Sequence, residues 1–190
     1  MKFILTFFAA LFSASSSIAA PVSYVIDPEH THPSFETDHL GGLSTWRGTF
    51  RTTTGKIILD KQAGIGTVDI AIDVASVDLA HDKLNEEVSG PKMFDSAKFP
   101  KAYYKGTIGG FSNGVPRKVE GELTLHGVTK PVSLSIDAFK CIHHPMLNRD
   151  VCGANAIGTF NRADFGVNFG QKYGFNQIVS LRIQVEAQKE

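Results

Sequence analysis

Apolar and polar residues alternate along most of the chain. In "TVDIAIDV", Val68, Ile70, Ile72 and Val74 fall on one side and Asp69, Ala71 and Asp73 on the other, the period of a strand buried on one face. The pattern recurs in "VEGELTLH", where Val119, Gly121, Leu123 and Leu125 alternate with Glu120, Glu122, Thr124 and His126. It returns with Val132, Leu134, Ile136 and Ala138 inward, and again with Val179, Leu181, Ile183 and Val185 inward. Further strands are predicted over residues 22–27, 34–39, 46–59 with a bend, 103–111 and 155–162, separated by turn residues such as "SNG" and "KP". The total is about nine short strands with no internal repeat and no low-complexity linker, which predicts one antiparallel sandwich or closed barrel. Alternation does not choose between the two.

One segment breaks the rhythm. From Asp78 the apolar spacing becomes four, through Ala80, Leu84 and Val88, while Asp82, Lys83, Glu86 and Glu87 fall mostly elsewhere on the wheel. "GP" at Gly90 and Pro91 is a stop signal. This predicts a short amphipathic helix, too short to stand alone. It is expected to pack Leu84 and Val88 on the sheet, with Met93, Phe94 and Phe99 following.

The first residues carry one cation, Lys2, then an apolar run from Phe3 to Phe12 and a stretch of small residues, the layout of a secretory signal. Cleavage after Ala19 places Ser17 and Ala19 at the small-residue positions, so residues 1–19 are expected to be a signal peptide and residues 20–190 a single binding domain. After this run no apolar stretch is long enough for a membrane helix. Cys141 and Cys152 remain in the exported chain and are expected to pair; a redox or metal pair would be expected at C-x-x-C spacing.

Charge adds a negative result. The chain has 19 basic and 19 acidic residues, and loss of Lys2 leaves one acid in excess, so nothing steers toward nucleic acid. No catalytic constellation stands out in the sequence: "GGLSTW" is not the G-x-S-x-G elbow, "GIGTVD" is not G-x-G-x-x-G, and "ADFGV" lacks the remaining kinase motifs. His30 and His32, two apart, and the adjacent His143 and His144 have imidazoles that suit zinc or copper, but spacing places no third and fourth ligand. They are read as surface or loop histidines, with no metal assigned. His126 sits on the polar face of its strand, in a capping or exposed role. Arg162 and Asp164, if extended, point to one side, as a local ion pair or a headgroup contact.

Four blocks carry a resemblance. "HLGGLSTWRGTF" (residues 39–50), "FDSAKFP" (94–100), "GELTLHGVTKPVSL" (121–134) and "NRADFGV" (161–167), in this order, are similar to the YceI-like family of exported polyisoprenoid-binding proteins. The resemblance implies an all-β fold with one short helix: a lipocalin-like antiparallel barrel of about eight strands enclosing a long apolar molecule. The implied ligand is an isoprenoid quinone, a polyprenyl lipid or a fatty-acid derivative, carried or sequestered in the periplasm without covalent chemistry and with no required cofactor. A quinone-linked redox role or metal binding through the histidines is the alternative. A membrane-protein partner and a homodimer stay open.

His39, Trp46, Phe50, Phe94, Phe99, Arg162, Asp164 and Phe165 fall in these blocks and, with Phe35 just before the first, are the candidate ligand-binding residues. Two features depart from the family pattern. "EHTHPSF" has an added histidine and a proline, and "CIHHPMLNRDVC" is a cysteine-closed loop, which suggests a stiffened hairpin tip.

Overall fold

In the computed structural model, which describes residues 20–190, the alternating segments are strands of one closed antiparallel barrel. The expected signal peptide, residues 1–19, lies outside the described residues. The elements are β1 (Val22–Ile26), β2 (Ser34–His39), β3 (Ser44–Phe50), β4 (Thr53–Asp60), β5 (Ile65–Asp73) and the two-residue β6 (Val77–Asp78). Helix α1 (Asp82–Ser89) follows, then β7 (Lys101–Gly109), β8 (Lys118–Leu125), β9 (Val128–His144), β10 (Arg149–Asn161) and β11 (Ile178–Lys189).

The ring runs β1–β4–β5–β7–β8–β9–β10–β11, and β11 pairs back onto β1 through Ala187 opposite Ile26 and Lys189 opposite Tyr24. The β1–β11 pairing closes these eight strands into a ring, which settles barrel over sandwich. The other part of β11, Val179 to Arg182, pairs with β2 instead, and β3 and β6 extend from there. Strands β1 and β2 therefore share one position beside β11. The gap between them is stitched by Thr31, whose hydroxyl donates to the Glu186 carbonyl and accepts from its N–H, both at 3.0 Å.

Three local expectations change. The bend predicted within 46–59 is a corner: β3 ends at Phe50 and β4 starts at Thr53, with the Thr52 N–H held by Ser76 Oγ at 3.0 Å. In β9 the pairing shifts between Asn155, opposite Ala138, and Ala156, opposite Ile136. Asp137 is the extra residue of this bulge, so the inward phase passes to Phe139 and Cys141 and leaves Ala138 exposed. Helix α1 begins at Asp82, and exposed Ala80 (φ 58°) belongs to the turn before it, so Ala80 does not extend the apolar stripe. His81 caps the helix by accepting the Leu84 N–H at Nδ1, 3.3 Å.

Two apolar clusters result. The larger fills the barrel wall with residues such as Leu59, Tyr104, Leu123 and Leu134. The smaller, formed by Phe35, Val77, Val88 and Val179, holds α1 over the end of the barrel with help from Leu79, Leu84 and Phe94. The predicted disulfide is present: Cys141 lies opposite Cys152 across β9 and β10, with Cα atoms 4.0 Å apart.

Candidate functional site

The barrel encloses a cavity of about 910 Å³, toward the upper end of the range for small-molecule sites. Its wall is the inward face that alternation predicts, with Ile70, Leu123, Leu134, Leu181 and Ile183 among its residues. The interior stays open because several inward positions are small. Ala102, Ala154, Ala156 and Ala187 all line it, and their methyl groups leave the centre unfilled. Tyr104 leans across Gly121, where a Cβ would come within 2.7 Å of the phenol ring, and donates its hydroxyl to the Val132 carbonyl at 2.8 Å. Burial pushes the Tyr104 phenol well above the usual range, so it stays protonated.

The cavity reaches solvent at the α1 end. Exposed Glu86, Glu87, Pro91 and Lys92 belong to its lining there, facing β2, β3 and the loop of residues 162–177. Phe35, His39, Trp46, Phe50, Phe94 and Arg162 all line the cavity. Phe35 and Phe50 lie 5.7 Å apart and Phe50 and Phe94 5.8 Å apart between ring centroids, an aromatic series running under α1. His39 packs on Trp46 at 5.1 Å and edge-on to Phe175 at 5.5 Å near the mouth.

Phe99, Asp164 and Phe165 are not brought to the cavity wall. Phe99 stacks on His126 at 4.4 Å, and the same imidazole reaches the Phe165 carbonyl through Nδ1 at 3.2 Å. His126 lies in the turn after β8 at φ 52°, part-buried and not on the polar face of the strand, and these contacts tie the β8–β9 turn to its neighbours. Phe165 is 1% exposed and meets Phe160 edge-on at 5.3 Å, as core. Residues 162–165 form a 3₁₀ turn, not an extended run, so Arg162 and Asp164 separate: Arg162 is buried and Asp164 is exposed. The Arg162 guanidinium donates to the carbonyls of Val167 and Phe169, each at 2.8 Å, and forms no pair with Asp164.

Phe139, Phe160, Phe169 and Phe175 also line the cavity and were not anticipated. The last two lie in "VNFGQKYGF", where aromatic residues repeat inside a glycine-rich loop, a signal that strand alternation does not score.

The remaining histidines are engaged in local contacts. His30 Nδ1 lies 2.9 Å from Asp27, His32 Nε2 3.2 Å from the Glu29 carbonyl, and His144 Nδ1 accepts the N–H of Met146 and of Leu147. His143 sits between Asp150 at 3.2 Å and Asn148 at 3.1 Å. Among the described residues no group of three or more His, Cys, Asp or Glu is placed to hold a metal ion. No described helix is long and apolar enough to cross a membrane.

The fold and sequence have known counterparts. A protein-family model described as the YceI-like domain matches residues 24–188. Protein YceI of Escherichia coli O157:H7 is 36% identical over 133 residues, covering 68% of each chain. A UPF0312 protein of Pseudomonas syringae pv. tomato is 31% identical over 161 residues, 83% of this chain and 82% of its own. Among solved structures, BcnA of Burkholderia cenocepacia superposes with a TM-score of 0.70 at 21% identity, covering 85% of this chain and 99% of its own. A polyisoprenoid binding domain from Saccharophagus degradans, implicated in plant cell wall breakdown, matches with a TM-score of 0.64 at 16% identity, covering 89% and 99%. These structures share the barrel, and the sequence matches carry the kinship: the chain belongs to the YceI-like family.

Proposed function

We propose that this protein binds one long-chain amphiphile inside its barrel, an isoprenoid quinone, a polyprenyl lipid or a fatty-acid derivative, and carries or sequesters it in the periplasm without altering it. The observation that carries this reading is the cavity of about 910 Å³, lined mainly by apolar side chains and open at the α1 end. Water in such a space finds few polar partners, whereas each methylene moved out of water contributes about 0.8 kcal/mol. A flexible hydrocarbon is the occupant that this wall favours.

Phe35, Phe50 and Phe94 would grip the chain under α1, with His39 and Trp46 at the mouth. The Saccharophagus domain, described as polyisoprenoid binding, supports the same ligand class, and the disulfide fits an oxidising compartment. The test is organic extraction of the purified protein followed by mass spectrometry, with uptake of added ubiquinone or palmitic acid measured in parallel. A lipid released at about one per chain supports the proposal; no extractable lipid and no uptake of either compound overturns it.

A further inference from the structure

The largely apolar wall carries a few polar side chains, and two of them near the mouth have unpartnered atoms. Strands β2, β11 and β10 lie side by side, with Thr37 opposite Val179 and Val179 opposite Phe160; all three residues line the cavity. Toward the mouth from this row come Gln177 and Arg162, joined by the Arg162 N–H to the Gln177 carbonyl at 2.9 Å. Among the described residues, five buried side-chain polar atoms have no hydrogen-bond partner, and two of them, Thr37 Oγ1 and Arg162 Nε, belong to cavity-lining residues at this end. Buried polar groups are normally satisfied, so two unpartnered groups able to donate, side by side on a cavity wall, point to a ligand.

Arg162 is 6% exposed and lines the cavity. Two of its nitrogens donate to the Val167 and Phe169 carbonyls, which carry no net charge. Asp38 is the acid that acts on it through space, but that carboxylate is itself engaged by the N–H groups of Gly41 and Asn176, each at 2.9 Å. The guanidinium is thus a buried cation with no carboxylate bonded to it. The other charged groups lining this end, Glu86, Glu87 and Lys92, are exposed, where solvent and salt screen them.

We infer that Arg162 and Thr37 seat an anionic oxygen headgroup, a carboxylate or a phosphate, at the mouth end of the cavity while the hydrocarbon tail runs down the barrel. This rests on the amphiphile-binding reading and narrows it. An anionic oxygen gives the buried guanidinium the charge-assisted hydrogen bond that no side chain supplies, and the Thr37 hydroxyl adds a neutral one. A quinone carbonyl or an alcohol accepts a hydrogen bond but leaves the charge uncompensated.

The test displaces the fluorescent apolar probe N-phenyl-1-naphthylamine from the delipidated protein with farnesyl phosphate, farnesoic acid and farnesol, which share one tail. The acids are expected to bind about tenfold or more tightly than farnesol. The comparison of the two acids shows whether phosphate or carboxylate is the better fit. Arg162→Gln should collapse the preference, and Thr37→Val, which keeps shape and leaves the Arg162 contacts to Val167 and Phe169 intact, should reduce it. Equal binding of acid and alcohol by the unmodified protein, tighter binding of ubiquinone-2 than of either acid, or a preference unchanged in both variants overturns the inference while leaving amphiphile binding in place. Failure of every compound to displace the probe overturns both.

Discussion

Phe94 and Phe165 offer a direct measure of how the cavity divides ligand wall from core. Phe165 is 1% exposed, packs edge-on against Phe160 and lies off the cavity. Truncation to alanine removes a fully packed ring, and the transfer and cavity terms together predict a loss of about 3–5 kcal/mol. Phe94 is only partly buried, touches both apolar clusters and turns one side to the cavity. A ring edge that faces open space has already forfeited contacts there, so Phe94→Ala should cost roughly half as much, about 1.5–2.5 kcal/mol. Urea unfolding of both variants, stripped of lipid, reads the difference as a shift in midpoint at constant slope. The Phe94→Ala protein should also exchange an apolar probe faster, because Phe94 stands beside Phe50 under α1. A loss for Phe94→Ala equal to that of Phe165→Ala, with no faster exchange, would refute the assignment of Phe94 to the cavity entrance.

Reducing the Cys141–Cys152 bond, which spans a sequence separation of 11, should lower stability by about 3 kcal/mol on the chain-entropy model; urea unfolding with and without dithiothreitol measures it. Hydrogen bonding to Asp150 raises the His143 pKa, and the same contact lowers that of Asp150. The pair's contribution is therefore present between the two values: it is lost as pH rises through the raised His143 pKa and as pH falls through the lowered Asp150 pKa. In an NMR titration, Asp150→Asn should move His143 down toward the ordinary imidazole value of about 6.5, and an unmoved His143 would sink the pairing. Tyr104→Phe should cost about 1 kcal/mol for the bond to the Val132 carbonyl. Because burial favours the neutral phenol in the folded state, stability should fall as pH rises above the unfolded tyrosine pKa of about 10, and this fall should be shallower in the variant.

Much of the wall was legible from alternation alone. Val68, Ile70, Ile72, Leu123, Leu134 and Leu181 are inward as their period required, since a strand that buries one face has only one choice of phase. The exceptions share a cause. Ala138 lost its inward place to a bulge in β9, a feature defined by the partner strand β10. Arg162 and Asp164 parted because their segment closes into a 3₁₀ turn capped by the Asn161 side chain and held by Arg162 itself. Phe169 and Phe175 reach the cavity from a loop whose path depends on Asp38, 138 positions from Asn176 in sequence. Such contacts leave no periodic trace.

Local chemistry settles which residues alternate, where a helix interrupts them and which cysteines can meet, because these depend on neighbours a few positions apart. Long-range pairing settles the rest. β11 joins both β1 and β2, and that pairing, through backbone hydrogen bonds indifferent to side-chain identity, closes the ring and leaves an interior. Whether the interior is filled or open then turns on how residues from opposite sides of the barrel add up in volume. With alanines at 102, 154, 156 and 187 facing the same space, the sum falls short, and the shortfall is the cavity.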